Sequence, residues 1–497
     1  MIWVLLVGML AISYGWGMRG SLIGHGHGAM LPGALLGFFF AAAGRALGVP
    51  GMWEHSWVFC GVGAAAMFYG GDMTYGQTIG MSHEEDPHSY HHGMLGLYLK
   101  GLFWFGVAAG MLGIAVSAVC RGLYPDWALI GGALLIFPLR TLGIKLMNRP
   151  HAPEKGILPK LYFSKTRPEC WGGCLFVWLE LLAVMIAFGD WQSIVISVLA
   201  AIGGGTGWYV GNQMYIWSSR PFANGKLFLG RLNRAGFVGG WKMMECTIGA
   251  AGGLFAIGAF WLVYGCGNTA WDVSRFARLD APETWTTILG AVWVALVLLY
   301  SHLAVTASKL PPYRPDLDHR RALDTISQKS YDKLLPFATD KKPPVLLKFL
   351  LDYSTPLDLL VYAVFPIILA ALGSAFAIRA TGLFVLYWVA LEVIIYDRGI
   401  QSDKKWVRVF YSVILYLLAM ALLAVEVFEF PGGPNGQWVV LLCTGWYMFL
   451  NMQNCWVPYL RKKPANGEKR KRDDGVTRDA YFLFACAVIA LWYFLVR

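Results

Sequence analysis

The sequence predicts an all-α fold, a polytopic bundle of about fourteen membrane-spanning helices. Three observations carry that prediction. Charged residues make up 14% of the chain, against about 25% in a soluble domain, too few to coat a water-facing globule of 497 residues. Apolar residues make up 57% and gather in runs long enough to cross a hydrocarbon layer about 30 Å thick. The 22 Trp, 23 Tyr and 29 Phe suit interfacial belts, where amphipathic rings sit at headgroup depth.

The spans follow in order. The opening run, MIWVLLVGMLAISYG, has no basic leader and no small-residue cleavage site, so it reads as a first span at 2–18 rather than a removable signal. Apolar runs then place spans at 29–47, 57–80, 93–120, 126–146, 172–189, 192–217, 240–265 and 284–308. A second set lies at 357–378, 380–397, 405–428, 437–454 and 479–496. Between the sets, 309–356 is mixed in charge and proline-bearing, too short for a core of its own. The chain therefore divides into a membrane block at 1–308 with nine spans, a connector at 309–356 and a membrane block at 357–497 with five.

Orientation comes from the basic loops. Arg149, Lys155, Lys160, Lys165 and Arg167 lie in 147–171, and Arg220, Lys226, Arg231 and Arg234 in 218–239. Nine Lys or Arg lie in 309–356, and Lys469–Arg472 ends a basic tract. All fall on one side if every span is real, and the positive-inside rule makes that side the cytoplasm, with both termini outside. The net charge of +11 then belongs to loops facing anionic lipid. No segment offers the folded basic face that nucleic acid requires. The nine Cys are scattered through apolar runs and read as small core residues rather than a disulfide or zinc framework.

The first 265 residues carry a pattern three times. Gly15-Trp16-Gly17-Met18-Arg19-Gly20 precedes Gly33-Ala-Leu-Leu-Gly37. Gly70-Gly71-Asp72-Met73-Thr74-Tyr75-Gly76-Gln77 precedes Gly106-Val-Ala-Ala-Gly110. Gly203–Gly207 and Gly211-Asn212-Gln213 precede Gly249-Ala-Ala-Gly-Gly253. Each copy reads as a hairpin: a Gly-rich span enters, a polar loop turns, and a GxxxG helix returns. All run the same way, so they are parallel repeats about an axis normal to the membrane. Small residues one turn apart let backbones approach closely, and Gly-rich stretches unwind where protein or water can satisfy the freed groups. The pattern points to three helix ends converging on one polar site.

Ionisable and amide side chains beside these breaks are the candidate substrate ligands: Arg19, Asp72, Gln77, Asn212, Lys242 and Glu245. Arg19 can clamp an anionic solute or pair with Asp72. Lys100 begins the second return helix. Glu180 and Glu392 lie within apolar spans and are candidates for proton coupling. His83, His88, His91 and His92, with Glu84, Glu85 and Asp86, crowd one loop and have the chemistry to bind a first-row transition metal. His88-x-x-His91-His92 resembles the His boxes of membrane di-iron desaturases and hydroxylases.

No P-loop, nucleophile elbow, potassium filter or ladder of intramembrane Arg occurs, which removes ATPases, α/β hydrolases, potassium channels and voltage sensors. Three readings remain: a transporter or permease for a small polar or anionic solute; a membrane enzyme using the His cluster and a metal on a lipid-soluble substrate; and a structural subunit, homo-oligomeric or held in a larger membrane complex. At GWGMRG, GHGHGAMLPGALLG and GGDMTYGQTIG, the chain resembles a family of bacterial polytopic membrane proteins with GWGxRG, GHxxGAM and GGxMxYxQ motifs and no assigned function. The resemblance implies a bacterial inner membrane and groups Arg19, His25, Asp72 and Gln77 as one constellation.

Overall fold

Glycine sets how closely these helices approach. A computed structural model describes residues 1–384 except 23, 24, 72, 74, 165, 166, 220–239, 268, 309, 323–327 and 383. The spans expected at 405–428, 437–454 and 479–496, and nearly all of 380–397, lie outside the described residues. The first helices are α1 (Ile2–Leu22), α2 (His25–Ala46), α3 (Ser56–Gly71), α4 (Gly76–Ser82), α5 (Pro87–Arg121), α6 (Asp126–Asn148), α7 (Trp171–Ala187), α8 (Trp191–Ser219) and α9 (Gly240–Gly265). Short α10 (Ser274–Asp280) precedes α11 (Thr284–Ser308), and small helices follow over the connector. A further helix, α12, runs over 354–371 with a π-helical middle. Among the described residues there is no strand, and seven helices are long and apolar enough to cross a membrane; Ile2–Gly17, Ser56–Gly71 and Trp171–Ala187 are shorter apolar helices.

The GxxxG pairs are packing seams. A Cβ on Gly33 would stand 2.1 Å from the carbonyl oxygen of Gly63, and one on Gly37 would stand 1.9 Å from that of Phe59, so α2 crosses α3 backbone to backbone. A Cβ on Gly106 would meet the Trp178 ring, and one on Gly110 would meet Ser197. Gly249 and Gly253 seat Ile12 of α1. The result is a tight inner group in which α9 and α5 flank α8 and α1 lies on α9. In contrast, α6 turns Trp127, Leu134, Leu135, Leu142 and Leu146 outward. Large apolar side chains facing away from the bundle are what a helix in contact with lipid presents.

Successive helices alternate between two ends. At one end His55 Nε2 lies 2.8 Å from Asp280 Oδ1 and Arg121 lies 2.8 Å from Asp190. There the Asp272 amide also donates to the Cys120 carbonyl, and Arg278 lies 2.6 Å from Asp126. At the other end, α4 and the start of α5 meet the 149–170 segment. Two expected boundaries change. The span at 57–80 is two helices, because α3 stops at Gly71 and α4 restarts at Gly76. The span at 357–378 ends at 371, where Gly373 takes a φ of 92° and a new helix begins at 375. That left-handed backbone costs glycine little and other residues more.

Candidate functional site

The interruption between α3 and α4 follows from its sequence. Gly70-Gly71 gives a poor helix interior, and a Cβ at Gly70 would stand 2.0 Å from the Trp104 ring, so α5 presses directly on the point where α3 ends. Tyr75 sits just past the break. Its hydroxyl accepts a hydrogen bond from Arg19 Nη1 at 3.3 Å.

Arg19, in the last turn of α1, is 1% exposed. Its guanidinium carbon lies 4.4 Å from the Trp104 ring centroid, 5.0 Å from Trp16 and 5.4 Å from Tyr75. Trp208 closes the group, with its centroid 5.0 Å from Tyr75 and 6.1 Å from Trp16. Aromatic faces hold a desolvated cation by roughly 2 kcal/mol or more each in favourable cases. They also leave donor directions in the guanidinium plane open to hydrogen bonding.

The cluster extends to α9. Trp241 lies 6.4 Å from Tyr75 and donates through Nε1 to Glu245 at 2.8 Å. Glu245 forms an ion pair with Lys242, one helical turn away. Lys242 Nζ also donates to the Gly17 carbonyl at 2.6 Å, two residues before Arg19. Arg19, Lys242 and Glu245 are thus brought into one neighbourhood by α1, α4, α5, α8 and α9. Asp72 falls in the break and outside the described residues.

Gln77 and Asn212 belong to a neighbouring layer. Gln77 accepts a hydrogen bond from Ser164, and Thr78 donates to the Phe163 carbonyl at 2.8 Å. Asn212 Nδ2 donates to Ser82 Oγ at 2.8 Å, tying α8 to α4. Lys100 Nζ lies 2.8 Å from Glu169 and donates to Thr78 Oγ1 at 2.8 Å. The Glu169 carboxyl also accepts from the Phe163 amide at 3.2 Å. The 149–170 segment is therefore folded against α4 and α5 by buried polar contacts. Burial pushes the Glu169 carboxyl up from its ordinary range, and Lys100 opposes that rise.

No family model, curated protein or solved structure matches the chain. Its function has to be read from its own residues.

The four candidate metal ligands do not gather as one set. The His83 ring lies 4.6 Å from Tyr215. His88 stacks on His92 with centroids 5.8 Å apart, and His92 Nε2 reaches the Tyr162 carbonyl. His91 is exposed beside Tyr90. Among the described residues no three His, Cys, Asp or Glu side chains are grouped to hold a metal ion. Asp86 instead caps α5, accepting the Ser89 amide at 2.8 Å. That hydrogen bond holds its carboxyl below the usual range.

Glu180 lies on α7 and faces a separate cavity. Glu392 lies outside the described residues, and so does the His25 side chain. Sequence reasoning missed Tyr75, Trp104, Trp208 and Glu169. The Gly-Trp steps at 15–16 and 207–208 were a usable signal, since a ring beside glycine fills the space the glycine leaves. Glu169, one of two acids in a basic loop, offered no signal.

Proposed function

We propose that this chain is an integral membrane transporter or permease for a small polar or anionic solute. Its site lies on the axis of the Gly-rich helix ends. The observation that carries this reading is Arg19: a fully buried guanidinium within aromatic faces, beside an interrupted helix, linked through Tyr75 and Trp241 to the Lys242–Glu245 pair. A purely structural arginine needs no neighbouring helix break. Freed backbone groups and a cation together suit an anionic or polar group passing at membrane depth.

In this reading the arrangement is an occluded state. Opening exchanges the Arg19 contacts for contacts with solute, and Asp72 offers Arg19 a counter-charge when solute leaves. The 149–170 segment closes the basic end, which the positive-inside rule assigns to the cytoplasm of a bacterial inner membrane, with both termini outside. Gln77 and Asn212 hold α4 in place during exchange, and Glu180 or Glu392 serves proton coupling.

Proteoliposome uptake tests the reading with a panel of small organic and inorganic anions. Uptake of the transported member is expected to fall at least tenfold in R19A combined with D72N. R19K keeps the charge and loses the planar fork, so a partial loss is expected. Specific uptake that persists in the double variant would refute the assignment.

A further inference from the structure

A cavity of about 110 Å³ opens beneath α6, and Glu180 lines it. Its walls include Val62 of α3, Met111 and Ala118 of α5, Ile136 of α6, Leu181 of α7 and Ile367 of α12. On α5 these residues begin seven positions beyond Trp104, about 10 Å further along the helix. The cavity is therefore distinct from the Arg19 site, and an amine held there by Glu180 leaves proton coupling in the transport reading to Glu392.

Glu180 is 7% exposed, and both its carboxyl oxygens lack a hydrogen-bond partner among the described residues. The nearest cation in the lining is Arg275, which already lies 3.0 Å from Asp126 and donates to the Tyr124 carbonyl. An unpartnered buried carboxyl in apolar surroundings is costly. A ligand that brings its own donor and charge removes that cost. A dry cavity of roughly 150 Å³ accepts a benzene ring, so this one suits a single ring or short alkyl chain. Any longer tail would extend past the lipid-facing side of α6.

We infer that this cavity binds a lipid-soluble amine, its ammonium paired with Glu180 and its apolar body among the α3, α5, α6 and α7 side chains. The apolar walls select molecules partitioned into the bilayer. The lone carboxyl selects a cationic donor over an alcohol, and over an acid still more strongly, because two carboxyl groups in one apolar site cannot both stay ionised.

The test is photolabelling of the full chain in phosphatidylcholine nanodiscs, whose zwitterionic surface does not itself concentrate amines. Three octyl probes carry a diazirine on the chain and an amine, alcohol or carboxylic acid as head group. The amine is expected to label peptides covering 128–136 and 180–184 at least tenfold more than the other two. Unlabelled octylamine should compete and octanol should not. E180Q should remove the preference for the amine. Equal labelling by all three heads, unchanged selectivity in E180Q, or no labelling of these peptides would each overturn the assignment. The head-group competition is done on the wild-type chain, so it decides the question even if E180Q does not fold.

Discussion

Replacing Lys100 by Met, Glu169 by Met, and both residues together measures how the basic-end segment is held. The two side chains are 1% and 0% exposed and 2.8 Å apart. At that distance, with an effective dielectric of about 20, their attraction is about 6 kcal/mol. Desolvating each ion costs several kcal/mol, so the net contribution of the intact pair is small. Removing one partner leaves the other buried without its counter-charge, among contacts that include Thr78 for Lys100 and the Phe163 amide for Glu169. Each single variant should therefore lose about 3–5 kcal/mol. The double variant removes both ions and should lose less than either single one. Chemical unfolding in detergent gives the cycle. Limited trypsinolysis gives the local readout, since Lys155 and Lys160 lie in the segment and should be cut faster in the single variants. Losses that simply add in the double variant would show that the pair is uncoupled and that something else seats the segment.

Gly37→Ala places a methyl 1.9 Å from the Phe59 carbonyl and should cost about 1–3 kcal/mol by overpacking. Gly131→Ala, with open space around it, should be neutral or stabilising by up to about 1 kcal/mol; thermal unfolding of both variants checks the contrast. Asp86 has a folded-state pKa below its unfolded value. Its capping contribution is therefore complete above the ordinary carboxylate value of about 3.9 and is lost as pH falls through the lowered one. Hydrogen exchange at Ser89 should accelerate there in the wild type and lack that pH step in D86A. Cys266 is exposed while Cys60, Cys120 and Cys174 are buried. An impermeant maleimide should label a single-Cys266 chain in intact cells; labelling only in inverted vesicles would reverse the orientation.

The motif that stood out most in the sequence, GxxxG, is accounted for by helix contact at Gly33, Gly37, Gly249 and Gly253. The buried Arg19 cluster lies instead beside the Gly70-Gly71 break, which is not a GxxxG seam. The histidines stood out through their density in the chain. On the first turns of α5, His91 faces away from the stacked pair His88 and His92 because residues one apart do not share a face; His92 is occupied by the Tyr162 carbonyl, and His83 lies before the helix beside Tyr215.

The sequence by itself determined the helical class and the apolar composition of the candidate spans, because those depend on local apolar length. It also marked Arg19 and Glu180 as unusual, since an ionisable group in an apolar run is costly wherever it packs. Only the tertiary structure decided what each of them meets. Arg19 gains Trp104 from a helix 85 positions away in the chain, and Lys100 gains Glu169 from 69 positions away. Glu180 gains no partner at all among the described residues. Pairings over such separations leave no local periodicity to read. They are set by which helices glycine allows to touch.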